Sequence, residues 1–371
     1  MKKYLALLCA AVLSVSVLTG CGSEPVQEEE EVNMELSLWC CSDCPAAEAF
    51  AVLAESYTRV RPSTKINVTV FEAEDELLSA AEDELPDMVL CSHTAASELS
   101  EKDQLWDCST LFGGISPRIV PIYGEGCIGK SFFPLCYDAD VLCVSAAYTG
   151  SRTELSDLDG LFAAASRYAE EKSSPFIAFD SFAGLFNSSA AQFSHRFYGV
   201  RDKNVESTGF VRAYNAIAEC YVQGGFVFTE DSLETVENGE AVCAFVPSHR
   251  LTEHDGLEIL PACTLSGGDS VFSAVAYGIS ITTDNDETSS RLFDFMRWAY
   301  KADNCVPLSL SCGCVPAVTG LDIAADTPLE SVLGELYDGY SAALIGYTRE
   351  DHVNQLSFDG QCLKALEILG G

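Results

Sequence analysis

Leu85-Pro86-Asp87-Met88-Val89-Leu90 is the stretch on which the fold turns. Pro and Asp open it, and the apolar run behind them is short enough for a buried strand. Upstream, Glu72 to Glu84 carries Leu77, Leu78 and Ala81 and predicts a short acidic helix. Before it, Lys65-Ile66-Asn67-Val68-Thr69-Val70-Phe71 alternates as a strand. Ala46 to Arg59 places Phe50, Leu53 and Tyr57 at helical spacing, and Glu35 to Cys40 reads as a first strand around Leu36 and Leu38. Strand, helix, strand, helix, strand predicts parallel βαβ units, an α/β fold with helices on both faces of a sheet. Ligands of such sheets lie beyond the carboxyl ends of the strands. That geometry points to Trp39, Cys40 and Cys41 after the first strand, and to Ser92 and His93 after the third.

The N-terminus has a different character. Lys2 and Lys3 precede an apolar run from Tyr4 to Leu18, which ends in Leu18-Thr19-Gly20-Cys21. The run has the length of a secretory signal and is short for a membrane span. It resembles a bacterial lipoprotein signal, which implies cleavage before Cys21, diacylation of that residue and anchoring on the extracytoplasmic face of the membrane by two acyl chains. Residues 1–20 are then the signal peptide. Residues 21–33, with Glu28 to Glu31, form an acidic tether that extends by self-repulsion.

The remaining chain, about 350 residues, is long enough for two lobes, and 48% hydrophobic residues give it cores to bury. The net charge of -35 repels nucleic acid and anionic headgroups, so no nucleic-acid partner is expected and membrane association falls to the lipid. Of 17 cysteines, Cys9 leaves with the signal and Cys21 takes the lipid; 17 − 2 = 15 remain, an odd number that cannot all pair within one chain. Most lie in apolar segments as small hydrophobes, and free buried thiols are expected. Cys40-Cys41-x-x-Cys44 and Cys312-x-Cys314 offer an alternative thiol or metal reading, but neither spacing fits a zinc pattern, and no metal or other cofactor is expected.

No catalytic motif carries weight. Gly124-x-x-x-x-Gly129-Lys130-Ser131 satisfies the letters of a phosphate loop. Pro134 follows too soon for the helix such a loop needs, so the match is read as chance and no enzyme is expected. Asp284-x-Asp286-Glu287 is too short for a calcium loop.

Downstream the order of motifs carries a resemblance. Trp39 ends the first strand, and Pro86-Asp87 opens the third. Leu105 to Leu111 follows, then Gly129, Phe133 and Pro134, and a strand over Asp140 to Val144. Later come Thr153-Glu154-Leu155, Asn238-Gly239-Glu240-Ala241-Val242, a strand Ala274 to Ile281 with a helix from Ser289 to Lys301, and Gly313-Cys314-Val315-Pro316-Ala317. In this order they resemble the extracellular solute-binding proteins of ABC importers, in particular the sugar-binding, maltose-binding-protein-like family.

The resemblance implies a two-lobed periplasmic-binding-protein-like fold with three interlobe hinge crossings, near Asp140–Ser145, Cys263–Gly268 and Ser311–Cys314. One lobe would comprise residues 34–140 and 269–310, the other 141–268 and 311–371. It implies a monomer that closes on a small solute, a carbohydrate above all, and hands it to ABC permease subunits; a sensor presenting ligand to a membrane receptor is the alternative in the same fold. Further ligand candidates at strand ends are Asp180, Ser181, Phe182, Ser248, His249 and Tyr277, beside Trp39, Ser92 and His93. For Trp39, Phe182 and Tyr277, stacking on a ligand and packing in a core are both open.

Overall fold

The computed structural model describes residues 34–368 apart from 109–127, 194–207, 253, 255, 262, 284–285, 319–320 and 345–358. The expected signal peptide, Cys21 and the expected tether lie outside the described residues.

β1 (Met34–Cys41), β2 (Thr64–Phe71) and β3 (Met88–Ser92) are parallel in the order β2-β1-β3, connected by α1 (Ala47–Val60) and α2 (Glu74–Ala80). The strand expected from Leu85 begins at Met88 instead. Pro86 has no N–H to give a ladder, and Asp87 uses its side chain rather than its backbone geometry. Asp87 Oδ2 accepts from Ser37 N at 2.7 Å and Ser37 Oγ at 2.8 Å, and Asp87 N donates to Ser37 O at 3.1 Å. The residue thus pins the entrance of β3 to the middle of β1. α1 covers this sheet with Phe50 and Tyr57, whose rings meet Phe295 edge-on at 5.7 and 5.1 Å.

α3 (His93–Glu101) follows β3 directly. Two long antiparallel strands come next in the sheet, β9 (Val271–Ile281) beside β3 and β4 (Phe132–Ser145) beside β9. Ser131 of the phosphate-loop letters runs straight into β4, not into a helix. Gly278 of β9 lets the backbones close up, since a Cβ there would meet the Phe133 carbonyl.

β4 changes partners along its length. Phe132 to Ala139 pair with β9; Asp140 to Val144 pair with β7 (Cys243–Pro247), and Leu142 to Ser145 with β8 (Leu257–Leu260). β7 leads on to β5 (Ile177–Phe179) and β6 (Phe226–Phe228), which are parallel to each other. The strand therefore leaves one sheet and enters a second. α4 (Arg152–Leu155), α5 (Leu158–Lys172), α6 (Ala183–Ala191), α7 (Thr208–Val222) and α8 (Ser232–Glu237) belong with the second sheet. Its core is aromatic: Phe179, Phe182, Phe186 and Phe226 are buried and in ring contact.

α9 (Asp286–Ala299) and α10 (Ala302–Ser311) return to the first sheet. β10 (Val315–Pro316) then pairs with β4 at Tyr137 and Cys136. α11 (Pro328–Gly339) opens with a capping box of Thr327 and Glu330, and β11 (Ser341–Leu344) runs parallel to the start of β9. Residues 359–368 form a last helix. No helix among the described residues is long and apolar enough to cross a membrane.

Two helices escape the periodicity. α6 is buried at every position but Gly184, so it has no polar face to set a 3.6-residue stripe. α10 carries Pro307 in its interior, which reads as a breaker, yet the helix continues around a buried Cys305, Leu308 and Ser309.

Candidate functional site

The strand ends of the first sheet assemble one half of the site. Ser92 and Tyr277 are cross-strand neighbours on β3 and β9, and Tyr277 pairs on its other side with Cys136 of β4. Ser92 Oγ caps α3 by accepting from Ala95 N at 3.2 Å. The Glu74 carboxylate holds Ser92 from both sides, accepting from its N and its Oγ at 2.8 Å each. Burial pushes the Glu74 carboxyl up, against the bonds from Ser92. Tyr277 is half-buried, and burial first, then the Asp138 and Glu74 charges, keep its hydroxyl protonated.

The remaining candidates of this half divide. Trp39 is half-buried and sits edge-on against Phe71 at 5.1 Å. Cys40 and Cys41 are buried, and burial pushes their thiols up to about 11 and about 12. His93 is fully buried, and its Nδ1 accepts from Ala276 N at 3.2 Å, which places the ring hydrogen on Nε2 and makes the residue a strut between α3 and β9.

The second half gathers where β4 changes sheets. Asp138 Oδ2 lies 2.7 Å from His249 Nδ1, while Oδ1 accepts from His249 N at 3.1 Å and Ser248 Oγ at 3.2 Å. Ser248 is fully buried and its Oγ also takes the Ala139 N–H, so it binds the crossing strand to the turn after β7. Burial, the largest single influence, works against the His249 cation, but the hydrogen bond that Asp138 accepts and the Asp138 charge together outweigh it, and the pKa is raised. Asp140, two residues on, is pushed up to about 7 by burial and then by the charges of Asp138 and Asp180. A Cβ on Gly184 would overlap its carboxylate, so α6 begins flush against it.

Asp180 accepts from Ser232 Oγ at 2.9 Å and lies 3.8 Å from Arg250, which is itself held at 2.6 Å by Asp231. Ser181 Oγ donates to Asp359 at 2.7 Å, and Asp359 also receives the Phe182 N–H at 2.9 Å. Phe182 itself points into the aromatic core with no exposed surface.

The structure thus brings Ser92 and Tyr277 together, groups Ser248 with His249, and places Asp180 beside Ser181. It withdraws Cys40, Cys41, His93, Phe182 and Ser248 from solvent. Glu74, Asp138, Asp140 and Asp359 join the site without having been singled out in the sequence. For Asp138 and Asp140 the signal was available: two carboxylates in an otherwise apolar strand.

The cysteines also regroup. The 14 cysteines among the described residues are all free and buried. Cys312 and Cys314 lie not with Cys40 and Cys41 but with Cys136, the three sulfurs all within 4.8 Å of one another. Hydrogen bonds from Cys136 and Cys314 hold the Cys312 thiol well below its ordinary range and push their own up.

No family model matches the chain, and no curated protein matches its sequence. Solved structures do match its fold. The cyclic α-maltosyl-1,6-maltose binding protein of Arthrobacter globiformis superposes with a TM-score of 0.72 at 16% identity, over 90% of this chain and 94% of that one. UgpB of Mycobacterium tuberculosis, in complex with glycerophosphocholine, gives 0.69 at 13% identity over 94% and 98%. The sugar-binding protein MalE of Xanthomonas citri gives 0.68 at 16% over 91% and 95%. The chain has the two-lobed α/β fold of the maltose-binding-protein-like solute-binding proteins.

Proposed function

We propose that this protein captures a small polyhydroxylated solute, a carbohydrate, between its two lobes outside the cytoplasm and delivers it to the permease of an ABC importer. The observation that carries the reading is a set of half-buried polar and aromatic groups supplied by both sheets that β4 joins: Trp39, Glu74 and Tyr277 from the first, Asp140, Asp180 and His249 from the crossing and the second. Aromatic faces beside carboxylates and a tyrosine hydroxyl suit a ligand that offers C–H faces and many hydroxyl donors. Neither a nucleophile-base pair nor an oxyanion cradle is needed by this arrangement, and the chain is proposed to bind rather than to catalyse. Its proposed working form is a monomer anchored through diacylated Cys21, with residues 21–33 as spacer and with no nucleic-acid partner. The lobes are residues 34–140 with 269–310, and 141–268 with 311–371, closing about the three crossings by hinge motion.

A thermal-shift screen of residues 34–371 against sugars, polyols, amino acids and peptides tests the reading, because a ligand that binds only the native state raises its melting temperature by mass action. A shift with a mono- or oligosaccharide is expected. A shift with amino acids or peptides alone overturns the carbohydrate assignment, and no shift with any small solute overturns capture.

A further inference from the structure

Two of the segments that join the lobes carry a feature that solute capture does not use. Cys136 stands on β4 next to its irregularity, Cys312 caps α10, and Cys314 leads into β10, which lies against β4 at Cys136. Their sulfurs form a triangle with no side longer than 4.8 Å, and all three residues are buried. We propose that Cys136, Cys312 and Cys314 form a site for a soft monovalent cation, Cu(I), bound by three sulfurs.

Donor type, number and surroundings select the ion. Thiolates select soft ions such as Cu(I) and Zn(II) over hard ones. Zn(II) takes four ligands in structural sites, and among the described residues only these three donors meet. Three sulfurs that close on one another suit a trigonal ion, and Cys44, whose charge also acts on Cys136 and Cys312, stands outside the triangle. Burial excludes the oxygen ligands that harder cations need. Cys312 is 8% exposed and Cys136 and Cys314 are 0% exposed, so an ion reaches the triangle past Cys312. Binding is an exchange: each sulfur that ligates releases its proton to water, and copper stays in its monovalent state throughout. Because the ligands come from β4 and from the segment entering β10, a bound ion ties together two segments that hinge motion must bend.

The test uses the soluble chain, residues 34–371, fully reduced and free of oxygen, titrated with Cu(I) held by a competing chelator. A single equivalent is expected to be taken up in competition, with a thiolate-to-metal absorption band and a rise in melting temperature. X-ray absorption of the loaded protein should show sulfur alone around copper, three neighbours in number. Removing a ligand in C312S or C136S is expected to cost more than the about 10–100-fold that losing a supporting partner costs at metal sites. C143S and C220S, which alter buried thiols elsewhere, should bind as the parent does. Failure of the parent to take up copper overturns the site. So does uptake retained in both C312S and C136S, or lost equally in C143S. Oxygen or nitrogen neighbours in the absorption spectrum overturn it even if C312S and C136S fail to fold. Displacement by Zn(II) overturns the choice of ion.

Discussion

Asp140 concentrates the electrostatics of the crossing into one carboxyl group. Its neighbours are the carboxylates of Asp138 and Asp180, the Ser273 hydroxyl and the edge of Gly184. Desolvation and like charge both favour the neutral acid, and its pKa of about 7 stands well above the ordinary carboxylate range. Between that range and about 7, the native state keeps a proton that the unfolded chain has lost. Stability therefore falls as pH rises through this window and levels off above it, by a few kcal/mol at most. Asp140→Asn keeps the shape and removes the charge. It should flatten the pH dependence of the melting temperature across the window and raise the melting temperature above it. Thermal melts of the variant and parent at matched pH check this, and parallel curves would show that Asp140 is not the titrating group.

At the level of elements, the entrance of β3 is held by a side chain in addition to its backbone bonds. Asp87 makes three close contacts with Ser37, two of them accepted by one carboxylate oxygen. Charge-assisted bonds of this kind contribute about 1.5–3 kcal/mol each, and they share an acceptor, so Asp87→Ala should cost about 2–4 kcal/mol of unfolding free energy. Denaturant titration measures it, and a loss below about 0.5 kcal/mol would refute the clamp, being what a surface substitution gives. α6 against β4 makes a second case. Gly184→Ala should destabilise by about 1–3 kcal/mol, because the added methyl displaces the Asp140 carboxylate. Combining it with Asp140→Ala should recover most of that loss, a coupling that a double-mutant cycle reads directly.

The same elements show what the sequence discloses. β1 to β3 are legible because alternating or short apolar runs have few other readings, and Ser92 is legible as the end of β3, whereas Tyr277 lies inside β9 and comes level with Ser92 only through their antiparallel pairing. α6 is illegible because a helix buried all round loses its stripe, and α10 because Pro307 outweighs its neighbours locally. Glu74 reads as one more charge in an acidic helix until Ser92 is folded onto it. Phe182 and Trp39 are equivalent as letters, strand-end aromatics both, and only packing separates the core ring from the half-exposed one. Cys136 cannot be matched to Cys312 and Cys314 by spacing, since β10 has to be laid beside β4 first.

At the scale of the whole molecule, the two sheets share β4, so ligand-driven closure has to pass through a strand rather than a loose linker. A strand that is hydrogen-bonded on both sides resists twisting except where its partners change, at Ala139 and Asp140. In the proposed capture, closure brings the second-sheet acids toward Trp39 and Tyr277 as a rigid unit. This makes tryptophan emission a reporter. All 3 tryptophans are half-buried and packed on other rings, Trp298 on Tyr57 and Phe295, Trp106 on Phe293 and Trp39 on Phe71, but Trp39 alone is a residue of the proposed site. A captured solute should therefore change the emission of the parent, while Trp39→Phe should abolish the change and Trp298→Phe should leave it. Small-angle scattering on the same samples should show a smaller radius of gyration with solute. A solute that binds with an unchanged Trp39 signal would place the ligand away from these strand ends, and one that binds without compaction would separate capture from closure.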